Sequence, residues 1–307
     1  TIENGKLVVT KIESRSRRKS APKPYTTSVL QQDAANKLNF TTKKTMMVAQ
    51  ELYEGIDVKG EGTVGLISYI RTDSKRISEE AREKAKGYII ESIGENYYKD
   101  HAKDSKGKKE KKVQDAHEAI RPTSVDRTPD SIKDSLSKEQ YKLYNLIWRR
   151  FVASQMEDSV FDVLNVECKI EDLIFKATGS KLKFDGYTKI YNFTEREDKI
   201  LPSLDEGEIL KIQEYNPQQH FTSPPPRYTE ASLVKTLEEL GIGRPSTYAP
   251  TITTILNREY VEKDGASLVP TELGIIVTKI LDENFHKFME VDFTADLESQ
   301  LDQIVEG

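Results

Sequence analysis

Six consecutive residues, Tyr69 to Ser74, bring a phenol, a guanidinium, hydroxyls and a carboxylate into one short run. The apolar run GTVGLISYI predicts a strand that ends here, and the charged run after it predicts a helix. Side chains two apart on a strand point the same way, so Tyr69 and Arg71 should share a face. A tyrosine is a poor nucleophile at its ordinary pKa of ~10, but a fixed cation favours the phenolate and can hold a phosphate. The pair therefore suits attack on a phosphodiester, with Tyr69 forming the bond and Arg71 stabilising the developing charge.

The same residues also fit a purely structural role. In that alternative Tyr69 packs on a core and Arg71 forms a surface ion pair with Asp73. Asp73 and Ser74 are candidates for capping the turn or for orienting Arg71. Spacing alone does not separate the two alternatives.

A second candidate group is the string DAHEAIRPT at 115–123. His117 and Glu118 suggest a general acid or base, or an imidazole that binds phosphate. Arg121 precedes Pro122 on an extended segment, which suits a side chain that reaches outward. The string is not HExxH, because Arg121 stands where the second histidine would be, so a zinc protease is excluded.

A third candidate group is GIGRPSTYAP at 241–250. Its glycines permit a tight turn, and Pro245 fits just outside a helix that Ser246 opens. Ser246, Thr247 and the free amides of that helix could receive an anionic oxygen beside Arg244. The alternative is an ordinary capped helix with a surface arginine.

Composition sets the broad class. A chain of 307 residues should form two or three domains. The single cysteine, Cys168, excludes an internal disulfide and a multi-cysteine zinc site, and fits a reducing cytoplasm. No run of 18 apolar residues or signal peptide occurs, so no membrane association is expected. The missing initiator Met and the helix-like ending LESQLDQIVEG suggest a fragment of a longer protein, and the Lys-rich run 99–112 suggests a disordered loop.

The secondary structure that must position these groups is predicted to change along the chain from helices to strands and then back to helices. Residues 28–156 predict helices, with Ser78 as an N-cap and Ser137–Gln140 as a capping box. The runs VFDVLNVECKI, LIFKATG, KLKFDGYTKIY and GEILKIQEY predict a small antiparallel β domain, to which LVVTKIESRS could add a strand. After the stiff linker TSPPPR, the order helix, turn, helix, hairpin around Asp264–Gly265, helix is typical of a winged helix. Leu233, Leu237 and Leu240 should lie on one face of the first of these helices.

Taken together, these strings resemble the type IA DNA topoisomerases, and their bacterial topoisomerase I branch most closely. The resemblance covers essentially the whole chain, in the family's order. The matching strings are TSVLQQDAANKLNFTTKKTMMVAQELYEG, LISYIRTDS, AHEAIRPT, PPPRYTEASLVKTLEELGIGRPSTYAPTI and DFTADLESQLDQI.

The resemblance implies roles for individual residues. Tyr69 matches the nucleophile that attacks single-stranded DNA, leaving a 5′-phosphotyrosine and a free 3′-hydroxyl. Arg71 matches the arginine that holds the scissile phosphate, and His117 matches a histidine that influences the tyrosine and the DNA backbone. Because the covalent link conserves the phosphodiester energy, resealing after strand passage needs no ATP, and negative supercoils relax. The further residues expected to contact DNA are Thr72, Asp73, Ser74, Arg121, Arg244, Ser246 and Thr247.

The resemblance also implies a multidomain α+β fold, with two mainly helical, winged-helix-like domains joined by a mainly antiparallel β arch. The arch is expected at 1–28 and 157–226, the helical domain with the tyrosine at 29–156, and a partial winged-helix-like DNA-binding domain at 227–307. No DxD string occurs, so the family's magnesium-binding Toprim domain is expected outside this chain, as are its C-terminal repeats. We therefore expect no metal site here, Mg²⁺ only in the intact nucleoid-associated enzyme, and no relaxation by this chain alone.

Two other classes remain as alternatives. A winged-helix DNA-binding regulator would leave Tyr69 structural and prefer duplex DNA, whereas a topoisomerase arm should prefer single strands. A tyrosine recombinase would leave a 3′-phosphotyrosine, so labelling opposite ends of the strand separates the two polarities.

Overall fold

The computed structural model describes residues 5–100, 117–193 and 198–306. The Lys-rich run 99–112 therefore lies almost entirely outside the described residues. In the described part none of the helices is both long enough and apolar enough to cross a bilayer. The described α-helices are α1 (Thr27–Leu38), α2 (Thr42–Glu54), α3 (Glu79–Ser92), α4 (Lys138–Ser154), α5 (Glu230–Glu239), α6 (Tyr248–Asn257), α7 (Glu272–Met289) and α8 (Val291–Glu306). The described strands are β1 (Leu7–Lys19), β2 (Ile56–Val58), β3 (Gly62–Val64), β4 (Ser159–Ile170), β5 (Leu173–Phe184), β6 (Ile209–Leu210), β7 (Val261–Asp264) and β8 (Ser267–Pro270).

The largest sheet is antiparallel and has the strand order β5-β4-β1-β6. β1 pairs with β4 from Val8 opposite Lys169 to Lys19 opposite Ser159. The predicted strand in LVVTKIESRS thus belongs to the same sheet as the strands after residue 158, and helices α1–α4 lie between them in the chain. The finer prediction was wrong in two places. LIFKATG and KLKF form one continuous strand, β5, and GEILKIQEY contributes only the two residues of β6.

Helices α1–α4 surround the main apolar core. Their starts follow the predicted capping chemistry: Ser78 accepts a hydrogen bond from the Ala81 N–H, and Ser137 and Gln140 form a reciprocal capping box. The apolar residues Leu143, Ile147 and Phe151 of α4 are buried in this core. These local signals were confirmed because each depends on residues close in sequence.

The last quarter of the described chain follows the order α5, α6, hairpin β7–β8, α7, α8. Asp264 and Ser267 flank the predicted hairpin turn. Leu233 and Leu237 pack on a small core, but Leu240 is exposed, so the predicted face is incomplete. α6 begins at Tyr248 rather than at Ser246, because residues 244–247 form a separate turn. The element order agrees with the winged-helix prediction, but the winged-helix description itself stays a prediction.

Polar contacts join this last part to helices α1 and α2. The Glu230 carboxylate accepts hydrogen bonds from the Thr42 backbone N–H at 2.7 Å and from the Thr42 hydroxyl at 2.8 Å, and it also pairs with Lys263. Ser28 donates to Glu238 at 2.5 Å. These bonds fix where the 241–247 loop lies relative to the segment that follows β3.

The segment after β3 is not the strand that GTVGLISYI predicts. Only Gly62–Val64 forms a regular strand, which pairs with β2. Residues 65–78 continue irregularly apart from an isolated antiparallel bridge between Ile67 and Pro122. Thr27, buried at the start of α1, holds this segment. Its hydroxyl donates to the Ile70 carbonyl at 2.7 Å and accepts from the Thr72 N–H at 2.9 Å. One side chain therefore satisfies two buried backbone groups that a sheet would otherwise pair.

We predict that Thr27→Val lowers the free energy of unfolding by about 1–3 kcal/mol, because the buried Ile70 carbonyl and Thr72 N–H lose their partner. Urea titration followed by fluorescence measures this loss. Trp148 is the single tryptophan and lies 5% exposed in the same core.

The control is Thr123→Val in the neighbouring segment. The exposed Thr123 hydroxyl donates to the Gly65 carbonyl at 2.8 Å, and water can replace it there. We expect a loss below about 1 kcal/mol. Equal losses in the two variants would contradict the role given to Thr27.

Candidate active site

The segment 69–73 alternates between solvent and core. Tyr69, Arg71 and Asp73 are exposed, whereas Ile70 and Thr72 are buried. Tyr69 and Arg71 therefore both point away from the core, although this segment is not a regular paired strand. Within the described residues, no hydrogen bond joins the Tyr69 hydroxyl to the Arg71 guanidinium.

Backbone hydrogen bonds bring the second candidate string, 115–123, next to the run from Tyr69 to Ser74. The Ser68 N–H donates to the Arg121 carbonyl at 2.9 Å, and the Thr123 N–H donates to the Leu66 carbonyl at 3.0 Å. The Ser68 hydroxyl adds a 2.7 Å bond to the Ala119 carbonyl. The chain between 119 and 123 thus runs antiparallel beside residues 65–68, and this carries His117 to Tyr69.

Two aromatic rings hold the ring of Tyr69. His117 stacks on it with centroids 5.2 Å apart and planes at 30°, and Tyr53 meets it edge-on at 5.6 Å and 67°. Tyr53 lies at the end of α2, where a Cβ on Gly65 would come within 2.8 Å of the Tyr53 carbonyl oxygen. Glycine is therefore needed at 65 for the segment to pass so close. Tyr69 remains 39% exposed, so its ring is held while its side chain still reaches solvent.

Thr72 and Ser74 shape the turn after Arg71. Thr72 is 2% exposed, and its hydroxyl accepts from the Ser74 N–H at 3.0 Å. The Ser74 hydroxyl accepts from the Arg76 N–H at 3.2 Å. Ser74 thus caps the turn as the sequence suggested. Thr72 positions the turn from inside, and its predicted DNA contact stays a prediction.

Arg121 is engaged within the protein rather than extended outward. Its Nε donates to Glu118 Oε2 at 2.7 Å, its Nη2 lies 2.6 Å from the same oxygen, and its Nη1 donates to the Pro122 carbonyl. Burial acts to raise the pKa of Glu118, but hydrogen bonding to Arg121 and to Ser78 outweighs it and holds that pKa below its ordinary value. Glu118 is therefore a carboxylate that fixes the segment beside His117, and it is not poised to donate a proton. The predicted DNA contact of Arg121 stays a prediction.

Arg71 faces the third candidate string across a cleft of about 260 Å³. The lining combines Arg71 with residues of α2 and of the 245–253 segment. Among these are Lys43, Met46, Pro245, Ser246 and Ala249. The structure therefore brings Arg71 and Ser246 to one cleft and adds a lysine that sequence reasoning missed.

Arg244 is surrounded by acceptors. Its Nε and Nη2 donate to the two carboxylate oxygens of Asp302 at 3.3 and 2.6 Å, and its Nη1 lies 2.7 Å from Glu298 Oε2. Nη1 also donates to the carbonyls of Gly241 and Gly243. Hydrogen bonding to Asp302 raises the pKa of Arg244 above its ordinary value. Asp302 and Glu298 lie on α8, so carboxylates occupy the place predicted for an anionic ligand.

The rest of the 241–247 loop is held by local bonds. The Thr247 hydroxyl accepts from the Arg244 N–H at 2.8 Å and donates to the Arg244 carbonyl at 3.1 Å. Gly243 has φ +82°, and a Cβ there would come within 3.0 Å of the Tyr248 ring. Burial raises the pKa of Tyr248 to about 12, so the Tyr248 hydroxyl stays neutral and the residue serves in packing. Thr247 therefore shapes the loop, whereas Ser246 faces the cleft.

The described residues contain no group of three or more His, Cys, Asp or Glu side chains that could hold a metal ion. The magnesium that the family implies therefore finds no fitting site among the described residues.

Comparison with known proteins gives the family. The DNA topoisomerase family model matches residues 1–307. The structure of full-length topoisomerase I from Thermotoga maritima matches with a TM-score of 0.87 and 41% identity, and the match covers 99% of this chain and 49% of that chain. The chain thus spans about half the length of that protein. A match over every residue, joined to this level of identity, leaves one conclusion: the chain belongs to the DNA topoisomerase family, in its bacterial type IA branch.

Proposed function

We propose that this chain carries the strand-cutting tyrosine of a type IA topoisomerase. The Tyr69 oxygen attacks a backbone phosphorus of DNA and forms a new P–O bond, while the bond to the 3′ oxygen breaks and that oxygen takes up a proton as a free hydroxyl. The 5′ phosphate stays on Tyr69 until the hydroxyl attacks in reverse and releases the tyrosine. The observation that carries the proposal is the half-exposed Tyr69, ring-stacked on His117, two residues before the exposed Arg71.

Arg71 is proposed to hold the scissile phosphate. In the part of the chain that the structure describes, its guanidinium forms no hydrogen bond or ion pair, so all its donors can turn to a ligand. A planar guanidinium binds two phosphate oxygens at once and stabilises charge that builds on them. His117 is proposed as a positioning residue, because its ring restricts the ring of Tyr69 and lies at the same exposed edge.

Single-stranded DNA is the proposed substrate. The cleft beside Arg71 combines cationic and hydroxyl groups with apolar walls from Met46, Pro245 and Ala249. Grooves that follow a single strand combine such positive charge with surfaces on which unpaired bases can pack. Ser246 lines this cleft, and Arg244 and Asp73, which neighbour the lining residues Pro245 and Arg71 in sequence, are further proposed contacts.

The rest of the reaction needs parts beyond these residues. We propose that the magnesium-binding acids of a Toprim domain come from outside this chain, and that strand passage relaxes negative supercoils in the intact enzyme near the bacterial nucleoid. The proposed domains are the arch at 1–28 and 157–226, the domain with the tyrosine at 29–156 and a winged-helix-like DNA-binding domain at 227–307. The family match does not favour the winged-helix regulator without catalysis.

We predict that Tyr69→Phe abolishes covalent capture of DNA, because the attacking oxygen is gone. The assay mixes a 3′-end-labelled single strand, the chain, magnesium and a Toprim-containing segment from a similar enzyme. After denaturation, label should migrate with the wild-type chain and be absent from the variant. Label on the chain also establishes the 5′ linkage, since only the downstream DNA piece carries it.

Tyr53→Phe is the matched control, because it removes a neighbouring hydroxyl while keeping the ring that packs on Tyr69. It should form the adduct normally. Capture that persists in Tyr69→Phe, or that appears only with 5′-labelled DNA, would reject the proposed chemistry.

We also predict that the 307-residue chain with magnesium leaves negatively supercoiled plasmid unrelaxed, because the described residues offer no site for the metal. Agarose gel electrophoresis measures the topoisomers. Relaxation that disappears in Tyr69→Phe would show that the chain needs no separate metal-binding domain.

A further inference from the structure

Lys43 shares the cleft of Arg71 but has no role in the chemistry described so far. It lies in the first turn of α2, is exposed, and lines the cleft together with Arg71 and Ser246. Across the described ranges, none of these three side chains forms a hydrogen bond or an ion pair. The cleft is thus lined by two cationic side chains and one hydroxyl whose hydrogen-bond donors are not used within the described residues.

The neighbouring lysine shows the contrast. Lys44 pairs with Glu139 at 3.3 Å and lies over the Phe40 ring at 4.7 Å. Two lysines and no acid in the first turn oppose the helix dipole, which favours anions at that end. Lys44 compensates through Glu139, whereas Lys43 has no such compensation. A positive side chain at a positive helix end is placed to attract an anion from solvent.

We propose that Lys43 binds a backbone phosphate of the DNA strand next to the phosphate held by Arg71. This inference rests on the proposed function, since it assumes that a single strand enters the cleft. Lys43 acts there as a point charge that fixes the path of the strand and takes no part in bond making. Ser246 lies on the facing wall and can donate a neutral hydrogen bond to the same backbone.

The test is the salt dependence of binding to a fluorescent oligothymidylate, measured by anisotropy with the full 307-residue chain. Lys43→Gln should weaken binding several-fold and reduce the slope of log affinity against log salt by about 0.7, the value for one phosphate contact on a single strand. Lys43→Arg should restore the slope. Lys44→Gln removes the same charge one residue away and should leave the slope close to wild type.

Equal effects of Lys43→Gln and Lys44→Gln on affinity and salt slope would overturn the inference, because binding would then depend only on the net charge of the chain. If Arg71→Gln weakens binding while Lys43→Gln does not, the role proposed for Lys43 is wrong and the proposed function stands. If neither the wild type nor any variant binds the strand, both fail. Trp148 fluorescence confirms that each variant is folded.

A separate observation concerns Arg244. Its Nε, Nη1 and Nη2 donors all have acceptors, and two carboxylates against one guanidinium leave the group with excess negative charge. Glu298 also accepts from the Gly243 N–H at 2.8 Å. Asp302 is the more exposed of the two acids. A phosphate could reach Arg244 only by replacing them.

We infer that the carboxylates of α8 mimic phosphate and compete with DNA for Arg244. This too rests on the proposed function, because it assumes that the 241–247 loop contacts the strand. Asp302 is the acid that must leave first, since among the described residues it is held only through Arg244, whereas Glu298 is also held by Gly243. The acids therefore weaken DNA binding and make the loop selective for an anion strong enough to displace them.

Asp302→Asn should tighten binding of the same oligothymidylate roughly threefold to tenfold. Asp296→Asn is the matched control, because it removes one exposed charge from the same helix away from Arg244. The gain should vanish when Arg244→Gln is added. Glu298→Gln, whose amide oxygen can still accept from Gly243, provides a second test of the competition if Asp302→Asn destabilises α8.

Weaker binding by both α8 variants would overturn the inference and make the acids supports that orient Arg244. A gain that persists with Arg244→Gln would overturn it as well, since the acid would then repel DNA without involving the arginine. Tyr69 adduct formation in the same samples tests the proposed function independently.

Discussion

The site depends on a backbone that alternates like a strand without belonging to a sheet. Ile70 and Thr72 point into the core, which forces Tyr69, Arg71 and Asp73 outward. A strand would satisfy its buried amides through a partner strand, but that partner would cover one edge of the reactive residues. The Thr27 hydroxyl supplies the missing bonds from the start of a helix instead. The edge of the segment is thereby kept open for a ligand.

A nucleophile must be accessible and also confined, and the aromatic contacts of Tyr69 meet both needs. A side chain on an irregular segment would ordinarily sample several rotamers and lose entropy when it reacts. The rings of His117 and Tyr53 limit that freedom by packing on the Tyr69 ring. The close passage at Gly65 and the pairing of 65–68 with 119–123 set both neighbours in place. Orientation is thus established by packing and backbone bonds before any DNA binds.

Local signals in the sequence predicted the helices, their caps and the β7–β8 hairpin, because each is decided within a few residues. The family strings led to Tyr69, Arg71 and His117. The structure shows the rings of Tyr69 and His117 in contact, while the roles of the three residues stay predictions. Periodicity could not reveal the pairing that joins them, since about fifty residues separate Ser68 from Arg121 along the chain. It also could not show that Arg244 is held by an acid, because Asp302 is 58 positions from Arg244. Lys43 carried no signal beyond an unusual charge at a helix start.

The arrangement of charge explains how an acidic chain can offer a site for DNA. The formal net charge is −5, which opposes non-specific attraction to phosphate. The acids are not spread evenly over the cations, however. Arg121 pairs with Glu118, Arg127 with Glu61 and Arg150 with Asp33. In the described part of the chain, Arg71 and Lys43 have no such partner and face the same cleft. The cleft therefore carries local positive charge although the chain as a whole is acidic, and this charge can attract a phosphate.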